Sequence, residues 1–366
     1  MALRKARQNH LGTQPRVTNQ LHLSSGEPER VTVSIVLPIH NGAPYLRQAI
    51  DSMLAQSFSD FELIAIDDGS TDDSADIVGA YSDPRITFLR QENKGLAATL
   101  NRGIALARGR YVARQDQDDV SLPERLAKQV EFLDTHPDTA MVGTWAEIFD
   151  ASGRDMRFHR HPHEPAILKF ELLFDNPFVH SSVMMRMSAL DEVGGYTTDR
   201  TRQPPEDYEL WSRIGRRFPV SNIPEVLLRY REVTGSMSRS GDSPFALHVV
   251  AISTENLAYA LDKPSGSTET RDLAELMHGV PSKTRITTPF PRLLEILRQL
   301  AVDGGASPPA TASTLYRSAR KRLVAQLPNY FRHRYPSPYG GIAGFVAAGL
   351  LALRALVVRL LERPLT

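Results

Sequence analysis

The sequence predicts an α/β protein with a mostly parallel sheet flanked by helices and a helical C-terminal region. Two observations carry this prediction. Strand and helix patterns alternate from Val31 to Arg114, as they do in parallel α/β folds. No strand pattern follows Ser236, and apolar residues recur there at helical spacing over 245–261 and 291–303. We therefore expect ligands to bind beyond the carboxyl ends of the parallel strands.

Local patterns give the individual elements. The β-branched run Val31–Leu37 predicts a buried first strand that ends at Pro38. Pro44 opens a helix with apolar residues at helical spacing. Further along we predict strands over Phe61–Ile66, Ile86–Leu89 and Gly109–Arg114, and helices over Ala75–Tyr81 and Gly95–Ala107. The polar stretch between Asp150 and Pro165, which contains His159, His161 and His163, is predicted to be an irregular, solvated loop.

Length and composition limit the number of domains and the kinds of site that the chain can form. The 366 residues suggest one large domain and a smaller appendage, which we place at 31–235 and 236–366. Residues 1–30 are basic and lack the apolar run of a signal peptide, so we expect a disordered leader and a cytoplasmic protein. With no cysteine in the chain, disulfides, thiolate metal sites and cysteine nucleophiles are excluded. Any metal must be held by Asp, Glu or His.

The most informative motif is the acidic cluster Asp116-Gln-Asp-Asp119 at the end of a predicted strand. Neighbouring carboxylates repel one another unless a cation neutralises them. Hard oxygen ligands suit Mg²⁺ or Mn²⁺, which commonly complete their coordination with substrate phosphates. The alternative is an acidic turn that caps a helix beginning near Pro123.

Two further acidic motifs are candidate site residues, and each also has a purely structural explanation. Asp67 and Asp68 end another predicted strand, where they could accept hydrogen bonds from a nucleoside or simply cap a turn. Glu206 and Asp207 follow two prolines at a predicted helix start. They could complement the helix dipole, or one of them could be a general base towards an acceptor hydroxyl.

In their order, five motifs between Val33 and Arg231 resemble those of the family 2 glycosyltransferases, bacterial enzymes of the GT-A fold. The motifs are Ser34-Ile-Val-Leu-Pro-Ile-His-Asn-Gly42, Asp67-Asp-Gly-Ser-Thr-Asp72, Asn93-Lys-Gly-Leu96, Asp116-Gln-Asp-Asp119 and Glu206-Asp207. Each is weak alone, but all five in this order make chance improbable. The resemblance implies a Rossmann-like GT-A domain over 31–235 that transfers a sugar, with inversion, from a nucleotide diphosphate donor. We expect the donor to be a UDP-sugar.

The resemblance also implies residue roles. Asp116 would face the nucleotide, Asp118 would hold Mn²⁺ or Mg²⁺ on the diphosphate with help from Asp119, and Asp207 would be the catalytic base. Glu206 and His180 are placed on the acceptor side, although His180 could equally be a hydrogen-bonded core histidine. The nucleoside pocket would be lined by Pro38, Asn41, Asp67 and Asp68, with Lys94 nearby.

Two departures from the family pattern refine these expectations. Tyr230-Arg231 is not followed by the histidine that many relatives place near the metal, so the metal shell lacks that expected ligand. The Gln-x-x-Arg-Trp motif of processive synthases is also absent from the sequence, which favours addition of a single sugar. The expected acceptor is a hydroxyl of a glycan or lipid-linked glycan in bacterial surface polysaccharide synthesis, and we expect no nucleic-acid partner.

The C-terminal segment 317–366 contains nine Lys or Arg residues and one Glu. Such a segment suits an anionic membrane surface or an anionic polymer, and we predict peripheral contact with the inner face of the cytoplasmic membrane. The apolar run Phe345–Leu353 is interrupted by Arg354 before it reaches the length of a spanning helix, which favours an interfacial helix or a buried helix over a membrane span. From another functional class, the chain could be a catalytically silent module that binds sugar nucleotides or glycans, which donor hydrolysis would distinguish.

Overall fold

The computed structural model describes residues 31–150, 157–232, 245–280, 285–303 and 309–334. The predicted leader 1–30 and the apolar run Phe345–Leu353 lie outside these ranges. The described part has a nine-stranded sheet in the order β3-β2-β1-β4-β8-β6-β9-β5, with β7 paired to β6. The strands are β1 (Val33–Ile39), β2 (Phe61–Asp68), β3 (Ile86–Gln91), β4 (Tyr111–Arg114), β5 (Val120–Ser121), β6 (Met141–Asp150), β7 (Arg157–His159), β8 (Met184–Arg186) and β9 (Val220–Glu232).

The helices that the sequence pattern predicts individually are present with small shifts at their ends. The two prolines before Glu206 do lead into a helix, and 245–261 and 291–303 are helical as predicted. The helices are α1 (Ala43–Leu54), α2 (Ser74–Gly79), α3 (Leu96–Leu106), α4 (Arg125–Thr135), α5 (Pro165–Glu171), α6 (Met187–Val193), α7 (Glu206–Arg217), α8 (Phe245–Ala260), α9 (Thr268–His278), α10 (Phe290–Asp303), α11 (Pro309–Ala325) and α12 (Leu327–Arg334). Of these, α5, α6, α9, α11 and α12 had no prediction of their own.

The predicted α/β class and the helical C-terminal region are confirmed, and the sheet combines two pairing patterns. Strands β3, β2, β1 and β4 are parallel to one another. Beyond β4 the ladders are antiparallel, except that β6 and β9 run parallel. The parallel half therefore brings the carboxyl ends of β1, β2 and β4 to one edge, where ligands bind in α/β proteins.

Two local predictions are wrong. Pro38 does not end the first strand, which continues to Ile39 in register with β2. The proline is tolerated because pairing with β4 stops at Val36, so this end of β1 has a ladder on one side only. The stretch between Asp150 and Pro165 is not irregular throughout, because Arg157–His159 pairs with β6.

Helices cover both faces of the sheet. Apolar residues of α1 and α4 pack on the face of β1 that carries Ile35 and Leu37. Residues of α3, α6 and α7 pack on the opposite face, around Val36 and Trp211. The helices α8 to α12 share a further core with Phe170 and Phe174, at the end of α5 and just after it. The C-terminal helices are thereby packed against the α/β part, next to the α7 side of the sheet. Among the described helices, none is long and apolar enough to cross a membrane.

Candidate active site

One large cavity of about 1090 Å³ opens along the carboxyl edge of the parallel strands. Most of the predicted site residues line it: Pro38, Asp68, Asp116, Asp118, His180, Glu206 and Asp207. The other four do not contribute to the lining, namely Asn41, Asp67, Lys94 and Asp119. Residues that are up to 169 positions apart in the sequence, from Pro38 to Asp207, thus meet at one cavity.

The two acids at the end of β2 shape the adjoining loops. Asp67 is fully buried, and its carboxylate accepts hydrogen bonds from the Ser70 backbone at 2.9 Å and from Arg90 at 2.9 Å. Asp68 accepts from the backbone nitrogens of Lys94 and Gly95, both at 2.8 Å, just before α3 begins. The carboxylate of Asp68 therefore holds the start of α3 against the cavity.

The loop after β1 is fixed by polar contacts. Asn41 has a left-handed backbone, with φ of 51°, and its side-chain oxygen accepts from the Thr71 backbone at 2.9 Å. Gln117, the middle residue of the Asp-x-Asp motif, makes two bonds to the His40 backbone, accepting at 2.8 Å and donating at 3.0 Å. No sequence pattern indicated this role of Gln117, which connects the acidic loop to the end of β1.

Asp116 is held from behind by a buried cation. Arg114 is 1% exposed and pairs with Asp116 at 2.5 Å. The Nε of Arg114 also lies 3.3 Å from Nε2 of His180, and Tyr196 Oη is 3.0 Å from the same nitrogen. Burial and the charge of Arg114 lower the pKa of His180 to about 4. His180 is therefore a neutral, hydrogen-bonded side chain that also reaches the cavity wall.

Asp118 and Asp119 differ sharply in their surroundings. Asp118 lines the cavity, and burial together with the charge of Asp116 raises its pKa to about 6. Asp119 is 1% exposed, and both of its oxygens are used by the protein, one accepting from the Ser181 hydroxyl and the other from the Arg231 backbone at 2.7 Å. Through these contacts Asp119 connects the acidic loop to β9.

The acidic pair at the start of α7 faces the same cavity. Burial and the charge of Asp207 raise the pKa of Glu206 to about 7. Asp207 accepts a hydrogen bond from the side-chain amide of Asn176 at 2.8 Å and another from the Tyr208 backbone at 2.7 Å. Asn176 lies in the loop after α5, and no motif in the sequence pointed to it.

The far wall of the cavity comes from elements outside the five motifs. Phe245 and Val249 of α8 line it together with His278 at the end of α9. His159 and His161 stack on each other on this side, with ring centres 5.5 Å apart. Burial lowers the pKa of His161 and of His278 to about 4, so this wall offers uncharged imidazoles and apolar surface.

The oxygen ligands at the cavity can be compared with those that a divalent metal ion requires. Within the described residues, no group of three or more His, Asp or Glu side chains is arranged to hold a metal ion by itself. Asp116 and Asp118 offer hard carboxylate oxygens on one loop, and burial together with the negative charge of Asp116 raises the pKa of Asp118 despite the nearby Arg114 and Arg231. Two such ligands suit Mg²⁺ or Mn²⁺ when substrate phosphates complete the coordination shell.

Comparison with known proteins gives one family. Residues 34–194 match the family described as Glycosyl transferase family 2. The putative glycosyltransferase EpsE of Bacillus subtilis is 38% identical over 213 residues, which is 57% of this chain and 75% of that protein. The O-antigen biosynthesis glycosyltransferase WbnJ of Escherichia coli is 33% identical over 57% of this chain and 82% of its own length. The amylovoran biosynthesis glycosyltransferase AmsE of Erwinia amylovora is 32% identical over 51% of this chain and 70% of its own length.

Solved structures agree on the fold. The crystal structure of S. aureus TarS 1–349 in complex with UDP-GlcNAc superposes with a TM-score of 0.55 and 18% sequence identity. The match covers 83% of this chain and 90% of that one. Taken with the extent and identity of the sequence matches, these findings show that the chain is a glycosyltransferase and belongs to glycosyltransferase family 2.

Proposed function

We propose that this enzyme is an inverting, metal-dependent glycosyltransferase that moves one sugar from a UDP-sugar to a hydroxyl of a glycan acceptor. The observation that carries the proposal is the meeting of Asp116 and Asp118 with Asp207 at one cavity. One pair of carboxylates follows β4 and the other begins α7, so a metal-bound diphosphate and a proton acceptor can serve the same reacting carbon.

The donor would occupy the end of the cavity formed by the parallel strands. Pro38, Asp68 and Asn93 line this end, with Asn41, Asp67 and Lys94 proposed to support it from the surrounding loops. The UDP-GlcNAc in the TarS structure is a donor of the proposed class. The cavity of about 1090 Å³ slightly exceeds the ~300–1,000 Å³ typical of a pocket for one small ligand, which favours room for both donor and acceptor.

The proposed reaction is a single displacement. Asp118 would hold Mg²⁺ or Mn²⁺, which when bound offsets charge on the leaving diphosphate, and Asp116 would face the nucleotide beside it. Asp119 would support this set by fixing the loop through Ser181 and the Arg231 backbone. Asp207 would accept the proton of the acceptor hydroxyl while the hydroxyl oxygen bonds to the anomeric carbon and the bond to the diphosphate breaks. Attack from the side opposite the leaving group inverts the configuration.

The acceptor would enter past α7, α8 and α9. Glu206 and His180 line the cavity beside Asp207, and the neutral imidazoles of His161 and His278 can both donate to and accept from sugar hydroxyls. The names of WbnJ and AmsE refer to O-antigen and amylovoran biosynthesis. We therefore propose a growing or lipid-linked glycan of a bacterial surface polysaccharide as the acceptor.

Product analysis tests this proposal. We expect release of UDP from one member of a panel of UDP-, GDP- and dTDP-sugars, dependent on Mn²⁺ or Mg²⁺ and abolished by EDTA. With an α-linked donor, the anomeric proton in the product's NMR spectrum should show a β-linkage. An α-linked product, or turnover unaffected by EDTA, would contradict the inverting or the metal-dependent part respectively.

We also propose peripheral contact with the inner face of the cytoplasmic membrane through 317–366. In the described part of this segment, Arg317 and Lys321 are exposed one helical turn apart on α11. Each basic residue near an anionic bilayer contributes about 1 kcal/mol.

Vesicle sedimentation measures this contact. The full chain should bind phosphatidylserine-containing vesicles, should bind pure phosphatidylcholine vesicles weakly, and should be released by high salt. Charge reversal in Arg317→Glu/Lys321→Glu should weaken binding by roughly 10-fold or more, whereas Arg47→Glu/Lys169→Glu, which reverses two exposed charges on α1 and α5, should change it little. Equal weakening by both pairs would show that only net charge matters, and the proposed face would be abandoned.

A further inference from the structure

Asn176 is the only described side chain outside α7 that donates a hydrogen bond to the carboxylate of Asp207. Its Nδ2 lies 2.8 Å from Oδ2 of Asp207. The other Asp207 oxygen accepts from the backbone nitrogen of Tyr208, the next residue in the chain, at 2.7 Å. The orientation of the proposed base relative to the rest of the cavity therefore depends on the loop that contains Asn176.

The amide of Asn176 is itself fixed in orientation. Its Oδ1 accepts from the Phe178 backbone nitrogen at 3.2 Å, and its own backbone nitrogen donates to Asp175 Oδ1 at 2.9 Å. Because a backbone N–H can only donate, the oxygen of the amide must face Phe178. The NH₂ group is consequently directed at Asp207.

The loop around Asn176 is anchored on both sides. The side chain of Asn222 on β9 donates to the Pro177 carbonyl at 3.0 Å. The Tyr208 hydroxyl on α7 donates to the Leu172 carbonyl at 3.1 Å. Anchoring to the sheet and to α7 holds Asn176 at a set distance from Asp207, as a supporting group for a reactive side chain requires.

We propose that Asn176 is a positioning residue for the catalytic base. Its N–H holds one carboxylate oxygen of Asp207 in a fixed orientation and leaves the remaining lone pairs directed to the acceptor hydroxyl. This proposal rests on the assignment of Asp207 as the base. It predicts that Asn176 acts on turnover only through Asp207.

Three variants of the full chain test it: Asn176→Ala, Asn176→Asp and the double variant Asn176→Ala/Asp207→Asn. Removing a hydrogen bond to a charged group should lower kcat by roughly 10- to 100-fold, with little change in KM for the donor. Asn176→Asp keeps the shape of the side chain but replaces the hydrogen-bonding NH₂ group with a second carboxylate oxygen, which repels the carboxylate of Asp207. We expect it to lower kcat at neutral pH at least as much as Asn176→Ala.

The double variant separates positioning from a general structural role. If Asn176 acts through Asp207, adding Asn176→Ala to Asp207→Asn should lower kcat by less than about 2-fold, because coupled residues are not additive. Asn329→Ala, which removes an amide on α12 that donates to the side chain of Gln326, is the matched control and should leave kcat unchanged. Thermal melts of all variants report folding.

The outcomes are distinct for the two assignments. Fully additive losses, or a donor KM that rises while kcat stays normal, would overturn the role of Asn176 and leave Asp207 as the base. Normal activity in Asp207→Asn alone would overturn the base itself. If Asn176→Ala lowers the melting temperature strongly, the decision rests on Asn176→Asp, where wild-type kcat in a folded protein would also overturn the proposal.

Discussion

Asp207→Asn is expected to lower kcat by roughly 10²-fold or more, because general base catalysis contributes about 10²–10⁴-fold and the amide cannot take a proton. The change preserves the shape of the side chain, and Asp207 lies at the cavity wall at the start of α7. Donor affinity should change little, since a base acts in the transition state. Initial rates at saturating donor, together with donor titration by calorimetry, measure the two quantities.

The control for this variant is Asp138→Asn, which removes one negative charge from an exposed turn before β6. It should have normal kcat and normal donor affinity. A loss of donor affinity in Asp207→Asn at normal kcat would make Asp207 a binding residue. Normal values for both would leave only favourable interaction of the carboxylate with the helix dipole.

Asp118→Asn is expected to abolish the metal-dependent part of donor binding, with a loss of turnover of roughly 10²-fold or more, because a metal ion supplies several kcal/mol of charge stabilisation. Asp118 lines the cavity, whereas the oxygens of the neighbouring Asp119 are already occupied by protein donors. Calorimetry of UDP binding with and without Mn²⁺ provides the measurement.

Asp119→Asn is an informative companion to this variant. Because Asp119 is buried and braces the loop against β9, its loss should lower the melting temperature as well as activity, whereas Asp118→Asn should retain the melting temperature of the apoprotein. If UDP binds Asp118→Asn with the same metal dependence as the unmodified enzyme, the metal assignment is wrong.

Much of the fold was accessible from the sequence, because the α/β half uses local signals. Buried parallel strands such as β1 and β2 are continuous apolar runs, and prolines mark the starts of α1 and α7. The strand at Arg157–His159 was missed, since three residues are too few to give a strand pattern and its pairing with β6 is a tertiary contact. The wrong prediction at Pro38 has the same cause, because a proline fits within β1 only where the pairing with the neighbouring strand β4 has already ended.

The candidate site, like the fold, could be predicted only in part from the sequence. Motif order by itself singled out Asp116, Asp118 and Asp207, because acidic residues after strands and at helix starts leave a chemical pattern in the sequence. It placed Asp119 beside Asp118 at the metal, because only the folded chain shows that the oxygens of Asp119 are bonded to Ser181 and the Arg231 backbone. Motif order could not indicate Asn176, 31 positions before the carboxylate to which it donates.

The sequence by itself determined the α/β class, the helical C-terminal region and the family resemblance that the comparisons confirmed. Only the tertiary structure decided which of the predicted acids face the cavity, that Gln117 bonds the His40 backbone and Asn176 the carboxylate of Asp207, and that α8 and α9 complete the far wall. The physical reason is that strand and helix formation depends mainly on residues that are close together in the sequence. Burial, hydrogen-bond partners and the charges that shift a pKa are set by residues far apart in the chain.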